Sequence, residues 1–204
     1  MAITGPTWST LLYTSLSAQG MTGTYLLQFC NAIGTANALS VVGVPFTTQD
    51  TGMVPGIGVG TGVGVVGLNA SVVSNQIYTQ CVSAFGQAGA RLKDFTDAIA
   101  NALVSTMATA TLTSSHAPVF VGAGSIVVGS IGVSPTVWRA NIIAQGVGIF
   151  MGSYWPNFAE AIANGQAQSI IDNGSGSVTI TGTYTGPVPG SPSPGVGTGS
   201  GTIT

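Results

Sequence analysis

Few side chains in this sequence have the chemistry of a catalytic or metal-binding site. The chain holds one histidine, His116, and two cysteines, Cys30 and Cys81. A hydrolase would need a nucleophile and an acid assembled around His116, and a metal site needs convergent ligands, yet no HxxxH or CxxC spacing occurs. We expect His116 in a loop entering a strand and the cysteines as small core residues, their pairing left open. No metal is predicted.

Acidic residues cluster at one place only. Asp94 and Asp97 lie one helical turn apart, next to Arg91 and Lys93. A solvated helix start, with both carboxylates in a first turn where they favour the helix dipole, explains this cluster better than acid–base catalysis. We therefore predict that the protein is not an enzyme.

The glycine-rich segment Gly62–Gly67 fits the GxGxxG pattern of dinucleotide-binding loops. Glycine already alternates from Gly56 onward, so composition alone explains the match, and a Rossmann first strand would be a run of bulky apolar residues. No phosphate-binding Gly-Lys-Ser/Thr sequence occurs. The sequence predicts no cofactor and no small-molecule substrate.

Charge is scarce throughout the chain. Three basic and five acidic residues among 204 give 4% charged residues and a net charge of −2, against a usual share of roughly 25%. Three basic side chains cannot neutralise a phosphate backbone, which excludes electrostatic binding of nucleic acid. A hydrophobic content of 45% argues against global disorder, and a net charge near zero favours association.

Targeting signals are not evident. Met1–Gly20 has no basic residue and no apolar stretch before a small-residue cleavage site, so we expect no secretory signal peptide. Apolar windows such as Leu27–Phe46 contain Gln, Asn, Gly and Pro, which makes them poor membrane spans. A membrane role stays open as an alternative.

An internal repeat of about 65 residues organises the chain. FTDAIAN at 95–101 recurs as FAEAIAN at 158–164 and, more loosely, as FCNAIGT at 29–35. Trp8 and Trp138 follow similar Pro-Thr sequences and are separated by two repeat periods. GVGTGVG at 58–64 resembles GVGTGSG at 195–201.

We therefore predict an α+β fold of three tandem units, at 1–67, 68–133 and 134–185, and a Pro/Gly/Ser-rich arm at 186–204. Each unit is a helical hairpin followed by a Gly/Val/Thr-rich β-segment. The expected helices are Thr7–Ala18, Leu26–Val42, Ala70–Phe85, Phe95–Thr109, Thr136–Phe150 and Phe158–Asp172. The expected β-segments are Pro55–Gly67, for which a flexible loop is the alternative, Val119–Val133 as a strand pair, and Ser177–Tyr184.

Units of this kind bury their apolar and glycine-flat faces by stacking on neighbours, so we expect a homo-oligomer with large, charge-poor interfaces. Trp8 and Trp138 open the first helix of a unit, where packing is the favoured interpretation and surface recognition the alternative. The candidate assembly contacts are Gly58, Val59, Gly60, Thr61, Gly62, Trp8, Trp138, Trp155, Val196, Thr198 and Ile203.

The Ala/Gly/Thr/Val-rich, lysine-poor composition, the glycine-rich β-segments and the Pro/Gly/Ser arm resemble structural proteins of bacteriophage particles, such as head-decoration, head-tail or tail components. This resemblance implies a building block of the virion, assembled in the host cytoplasm with itself and other virion proteins. It also implies that the arm adds to the sheet of a neighbour. A membrane-associated or channel-forming protein and a secreted adhesive repeat protein are the alternatives.

Overall fold

The computed structural model describes residues 3–53, 58–86, 88–116, 122–150, 152–173, 179–185 and 195–202. In these ranges the order helix, helix, strand, strand occurs three times. The helices are α1 (Gly5–Ala18), α2 (Leu26–Val41), α3 (Ala70–Phe85), α4 (Ala90–Met107), α5 (Pro135–Gly146) and α6 (Trp155–Asn173). The strands are β1 (Pro45–Met53), β2 (Gly58–Val66), β3 (Thr111–His116), β4 (Gly122–Gly132), β5 (Thr179–Thr185) and β6 (Gly195–Thr202).

The first helix of each unit begins at a polar cap, and the three caps follow one another at the period of the repeat. The side chains of Thr4, Asn69 and Ser134 accept hydrogen bonds from backbone amides in the first turns of α1, α3 and α5. Such caps satisfy amides that have no partner inside the helix. The sequence therefore sets the start of each hairpin locally.

The helices form a closed ring. Each helix packs against its neighbour in chain order, and α6 packs against α1. The core is built from the inward faces of these helices, and its largest buried side chains include Trp8, Leu12, Ile77, Leu103 and Trp138. At Gly34 a Cβ atom would lie 2.6 Å from the backbone nitrogen of Ser9, so the closeness of α1 and α2 there requires glycine.

Three phenylalanines meet at one end of the ring, which we call the open end. Phe29 of α2, Phe95 of α4 and Phe158 of α6, the aromatic triad, have ring centroids 5.9 to 6.0 Å apart. Each opens its copy of the FxxAI sequence. Because the second helix of every unit contributes one ring, the aromatic triad lies where the three hairpins converge.

In each hairpin, a polar contact joins the two helices at equivalent positions of the repeat. A side chain in the first helix bonds to one in the second helix, and the first partners, at 9, 74 and 139, again follow the period of the repeat. The Ser74–Asp97 and Arg139–Glu160 atoms lie 2.5 and 3.4 Å apart. The three pairs are Ser9–Asn31, Ser74–Asp97 and Arg139–Glu160.

The strands form a closed antiparallel sheet in the order β1 to β6, in which β6 returns to pair with β1. Thr47 of β1, for example, pairs with Val65 of β2 on one side and with Ser200 of β6 on the other. The two strands of each unit meet at the edge of the sheet away from the helices, because the first strand follows a helix and the second leads into the next one, as β1 follows α2 and β2 leads into α3. The helical contact with this sheet is made chiefly by α6 against β4.

The predicted α+β fold class is wrong. Of the residues whose side chains the structure describes, 75% are helical, and most of the core residues among them lie in helices. The physical reason is composition, since glycine has no side chain and segments such as β2 and β6, in which about every second residue is glycine, offer little apolar surface to a shared core. The helices bury their Ala, Ile and Leu side chains against one another instead.

Several local predictions can be compared with the observed elements. The bounds of α3 are confirmed at both ends, and α2 begins at Leu26 as expected. Two interpretations are wrong. The helix α4 begins at Ala90, so Asp94 and Asp97 lie beyond its first turn. The described part of the expected strand pair at Val119–Val133, from residue 122 onward, contains the single strand β4. Here Ala, Arg and Leu at 90–92 are good helix formers and extend α4 towards its N-terminus.

Candidate functional site

The residues predicted as assembly contacts fall in different parts of the structure. Trp8 and Trp138 are fully buried, so they pack inside the ring and offer no surface to another molecule. Trp155 is half-buried at the open end. Gly58–Gly62 lies in β2, and Val196 and Thr198 lie in β6, whose far edge pairs with β1 of the same chain. Ile203 lies outside the described residues, as do 186–194 of the arm.

A groove lies at the open end of the ring. Its volume is about 820 Å³, within the range of roughly 300 to 1,000 Å³ that ligand sites occupy. Two connections shape it, the turn between α1 and α2 and the longer one between α5 and α6. The lining residues, which define the aromatic groove, are Gln19, Gly20, Met21, Arg91, Gly148, Ile149, Phe150, Gly152, Tyr154, Trp155 and Phe158.

Stacked rings form one wall of the aromatic groove. Phe150 stacks on Trp155 with centroids 4.7 Å apart, and Trp155 stacks on Phe158 at 5.6 Å. Phe158 belongs to the aromatic triad, so the wall continues into the centre of the ring. A Cβ atom on Gly146 would overlap the Trp155 indole, so glycine at this position makes room for the stack.

Backbone conformation explains how the connection between α5 and α6 presents these rings. Gly148 and Gly152 have φ values of 80° and 147°, in a region that residues with a Cβ atom adopt at a cost. Glycine at these two positions therefore lets the connection turn sharply between the helices. Tyr154 is left 79% exposed at the rim, and Arg91 of α4 reaches across to donate a hydrogen bond to the Ile149 carbonyl at 3.4 Å.

The chemistry of the aromatic groove is that of binding. Its lining offers flat apolar rings, one permanent cation and the side-chain amide of Gln19. Among these lining residues there is no carboxylate, histidine or hydroxyl nucleophile beside a base, so the groove lacks the pairs that acid–base or nucleophilic catalysis requires. Aromatic faces of this kind recognise other rings, prolines and apolar chains.

A second cluster joins α3 to α4 and adds Ser74, which no sequence motif indicated, to the predicted charged residues Lys93 and Asp97. The Ser74 hydroxyl donates to Asp97, and Lys93 donates to Ser74 at 3.0 Å and forms an ion pair with Asp97. Burial would raise the pKa of Asp97, but the hydrogen bonds from Lys93 and Ser74 outweigh it and hold that pKa below its ordinary value. Ser74 is 1% exposed, so no substrate reaches its oxygen and the cluster ties the two helices together.

Two buried amides lie deeper in the ring. Asn37 of α2 and Gln166 of α6 occupy equivalent positions, eight residues after Phe29 and Phe158. Both are fully buried and have no hydrogen-bond partner among the residues that the structure describes. The equivalent residue of α4 is Leu103. Because both amides lie eight residues after the recurring phenylalanine, the repeat alone could have predicted that they occupy equivalent positions.

The remaining candidates are placed as follows. Cys30 and Cys81 are separate buried thiols in the core, and burial raises the pKa of each to about 11. His116 is the last residue of β3 rather than a loop residue. Across the described ranges, no cluster of three or more metal-ligating side chains occurs. None of the helices described has both the length and the apolar character that crossing a membrane requires.

Comparison of the chain with protein-family models, with curated protein sequences and with solved structures gave no match.

Proposed function

We propose that this protein is a non-enzymatic structural subunit that assembles with copies of itself, and that the assembly is part of a bacteriophage particle. The observation that carries the first part is the apolar surface at the open end. Val147 is 73% exposed, Tyr154 79% and Tyr25 65%, all on the connections that surround the aromatic groove. Soluble monomers seldom expose a group of large apolar side chains to water, and such a group marks a surface that another molecule covers.

The charge distribution supports association over catalysis. Arg91 is the one ionic side chain lining the aromatic groove, and the whole chain carries eight charged residues. Interfaces without ionic pairs respond weakly to salt, because screening acts on charges. An assembly built at the open end is therefore expected to persist across ionic strengths.

The assignment to a phage particle is supported by the composition, the glycine-rich segments and the Pro/Gly/Ser arm that resemble virion structural proteins. As a head-decoration, head-tail or tail component, the subunit would assemble in the host cytoplasm and contact other virion proteins. Images of particles isolated from infected cells, labelled with an antibody against this chain, test this part. Labelling of host membranes instead of particles would contradict it.

The self-assembly is tested with the purified full chain. Sedimentation velocity over a hundredfold range of concentration should show species larger than the monomer, and electron micrographs should show regular particles, at both low and high salt. A folded monomer at every concentration would contradict the proposal. Flotation with lipid vesicles tests the membrane alternative, and co-flotation without particle formation would favour it.

Two substitutions place the contact on the molecule. Tyr154→Ser removes an exposed ring at the rim of the aromatic groove and should weaken assembly. Tyr13→Ser is the matched control, since Tyr13 is also exposed, at 42%, but lies midway along α1 on the side of the ring. Equal effects of the two substitutions would show that the assembly contact does not lie at the open end.

A further inference from the structure

We propose that the partner of the aromatic groove is the proline-rich segment 186–194 of a second copy of this chain, so that copies join head to tail. This inference rests on the proposed self-assembly and names the segment that the groove receives. The segment connects β5 to β6 and reads GPVPGSPSP, with prolines at 187, 189, 192 and 194.

The chemistry of the two surfaces is complementary. Proline-rich sequences favour an extended polyproline helix, which loses little entropy on binding and docks into grooves lined by aromatic rings. Pro189 and Pro192 have the PxxP spacing that such grooves recognise. Phe150, Trp155 and Tyr154 supply the rings. Prolines donate no backbone hydrogen bond but leave their carbonyls free, and the Arg91 guanidinium at the groove is a donor for them.

The topology requires that the segment come from another molecule. Trp155 begins α6 at the open end, and the 19 residues of α6 carry the chain ~28 Å away from it. The strand β5 then adds seven residues, or ~23 Å, and ends at the edge of the sheet that lies away from the helices. Since both ends of the nine-residue segment are fixed to the sheet, each limb extends by only ~14 Å. Its own groove is out of reach.

Head-to-tail contact between unlike surfaces leaves one groove and one segment unused at the two ends of any row of copies. Such heterologous interfaces propagate into open filaments or closed rings rather than stopping at a dimer. The structure thus assigns the groove and the segment as the two halves of one repeating contact.

A peptide experiment tests the contact without assembly. The ten-residue peptide of sequence 186–195 is titrated into the unmodified chain at a concentration where sedimentation shows monomer, and tryptophan fluorescence is followed. Trp8 and Trp138 are fully buried, so Trp155 is the indole that a ligand in the groove perturbs. Saturable change is expected, with binding at least tenfold weaker for a peptide whose four prolines are alanines. Equal binding of the two peptides, or none, overturns the inference.

A mixing experiment tests the polarity. One variant carries Tyr154→Lys in the groove, and the other has the four prolines of the segment replaced by glycine. Tyr154 is exposed, so its substitution leaves the fold intact, as circular dichroism checks for both variants. Each variant alone should stay monomeric, and an equimolar mixture should form one-to-one dimers and nothing larger. Particles from both variants alone would overturn the inference while leaving self-assembly in place, and monomers from the unmodified chain would overturn both.

Discussion

Loss of one ring from the aromatic triad should destabilise the protein and reveal a direct coupling between two units of the repeat that are distant in the chain. Phe29 and Phe95 are half-buried, and their ring centroids lie 5.9 Å apart with a tilt of 48°. Replacing a fully buried phenylalanine by alanine costs about 3 to 5 kcal/mol. For half-buried rings we expect each single substitution to lower the free energy of unfolding by about 2 kcal/mol.

The coupling is obtained from a double-mutant cycle of Phe29→Ala and Phe95→Ala. Aromatic pairs at this separation contribute about 0.5 to 1.5 kcal/mol beyond their buried area, so the double variant should lose less than the sum of the singles by about 1 kcal/mol. Urea unfolding followed by circular dichroism measures all four proteins. Domains of this kind have a free energy of unfolding of about 5 to 15 kcal/mol, which exceeds the loss expected for the double variant, so this variant should stay folded.

A second cycle serves as the control. Phe85 packs on Tyr25 at 6.2 Å, outside the triad, so Phe85→Ala and Phe95→Ala should be additive. Independent sites add to within about 0.3 kcal/mol. If the triad pair is additive to that limit, Phe29 and Phe95 are not in contact and the meeting of the hairpins at these rings is refuted.

Three further predictions concern single positions. Gly34→Ala should lower the free energy of unfolding by about 1 kcal/mol net of its gain in helix propensity, because the new methyl group meets the α1 backbone. Gly89→Ala should leave the free energy of unfolding unchanged in the same urea titration, because no atom lies near a Cβ at this position. The two buried cysteines, with pKa values raised to about 11, should resist a thiol reagent in mildly alkaline buffer until denaturant is added, and rapid labelling of the folded protein would contradict this. Since the pKa of Asp97 is lowered in the folded state, its contribution is present above its unfolded pKa and disappears as pH falls through the folded value. Asp97→Asn should therefore flatten the acid limb of stability against pH and cost about 0.5 kcal/mol at neutral pH, as Asp97 is half exposed, while an unchanged acid limb would exclude this role.

Local signals predict the helices well and their assembly poorly. Asn69 is a polar cap and Gly86 a left-handed stop, and together they fix both ends of α3. The predicted end of α5 at Phe150 is wrong, because the helix stops at Gly146. Gly146 packs against the Trp155 indole, and the sequence shows no sign of this contact. Close approaches of this kind depend on tertiary contacts that no local pattern contains.

The fold class and the functional site depend on the same non-local information. The repeat identifies Phe29, Phe95 and Phe158 as equivalent, but not that they meet, because an open stack of units would keep them apart. Trp155 is among the predicted contacts, whereas Phe150 and Tyr154 are not, because their approach to the aromatic groove depends on the turn of the connection between α5 and α6. The polar pairs are detectable in principle, since Ser9, Ser74 and Arg139 follow when the repeat period is applied to side chains other than aromatic ones.

The aromatic triad also fixes how many units this chain can contain. An open solenoid lengthens by duplication, because each new unit finds a free end on which to stack. Here α6 returns to α1 and three rings already fill the centre at 5.9 to 6.0 Å. A fourth hairpin would widen the ring and pull those rings apart, and a two-unit chain would leave two of them facing water. Growth within the chain is therefore arrested at three, and anything larger must be made by adding molecules.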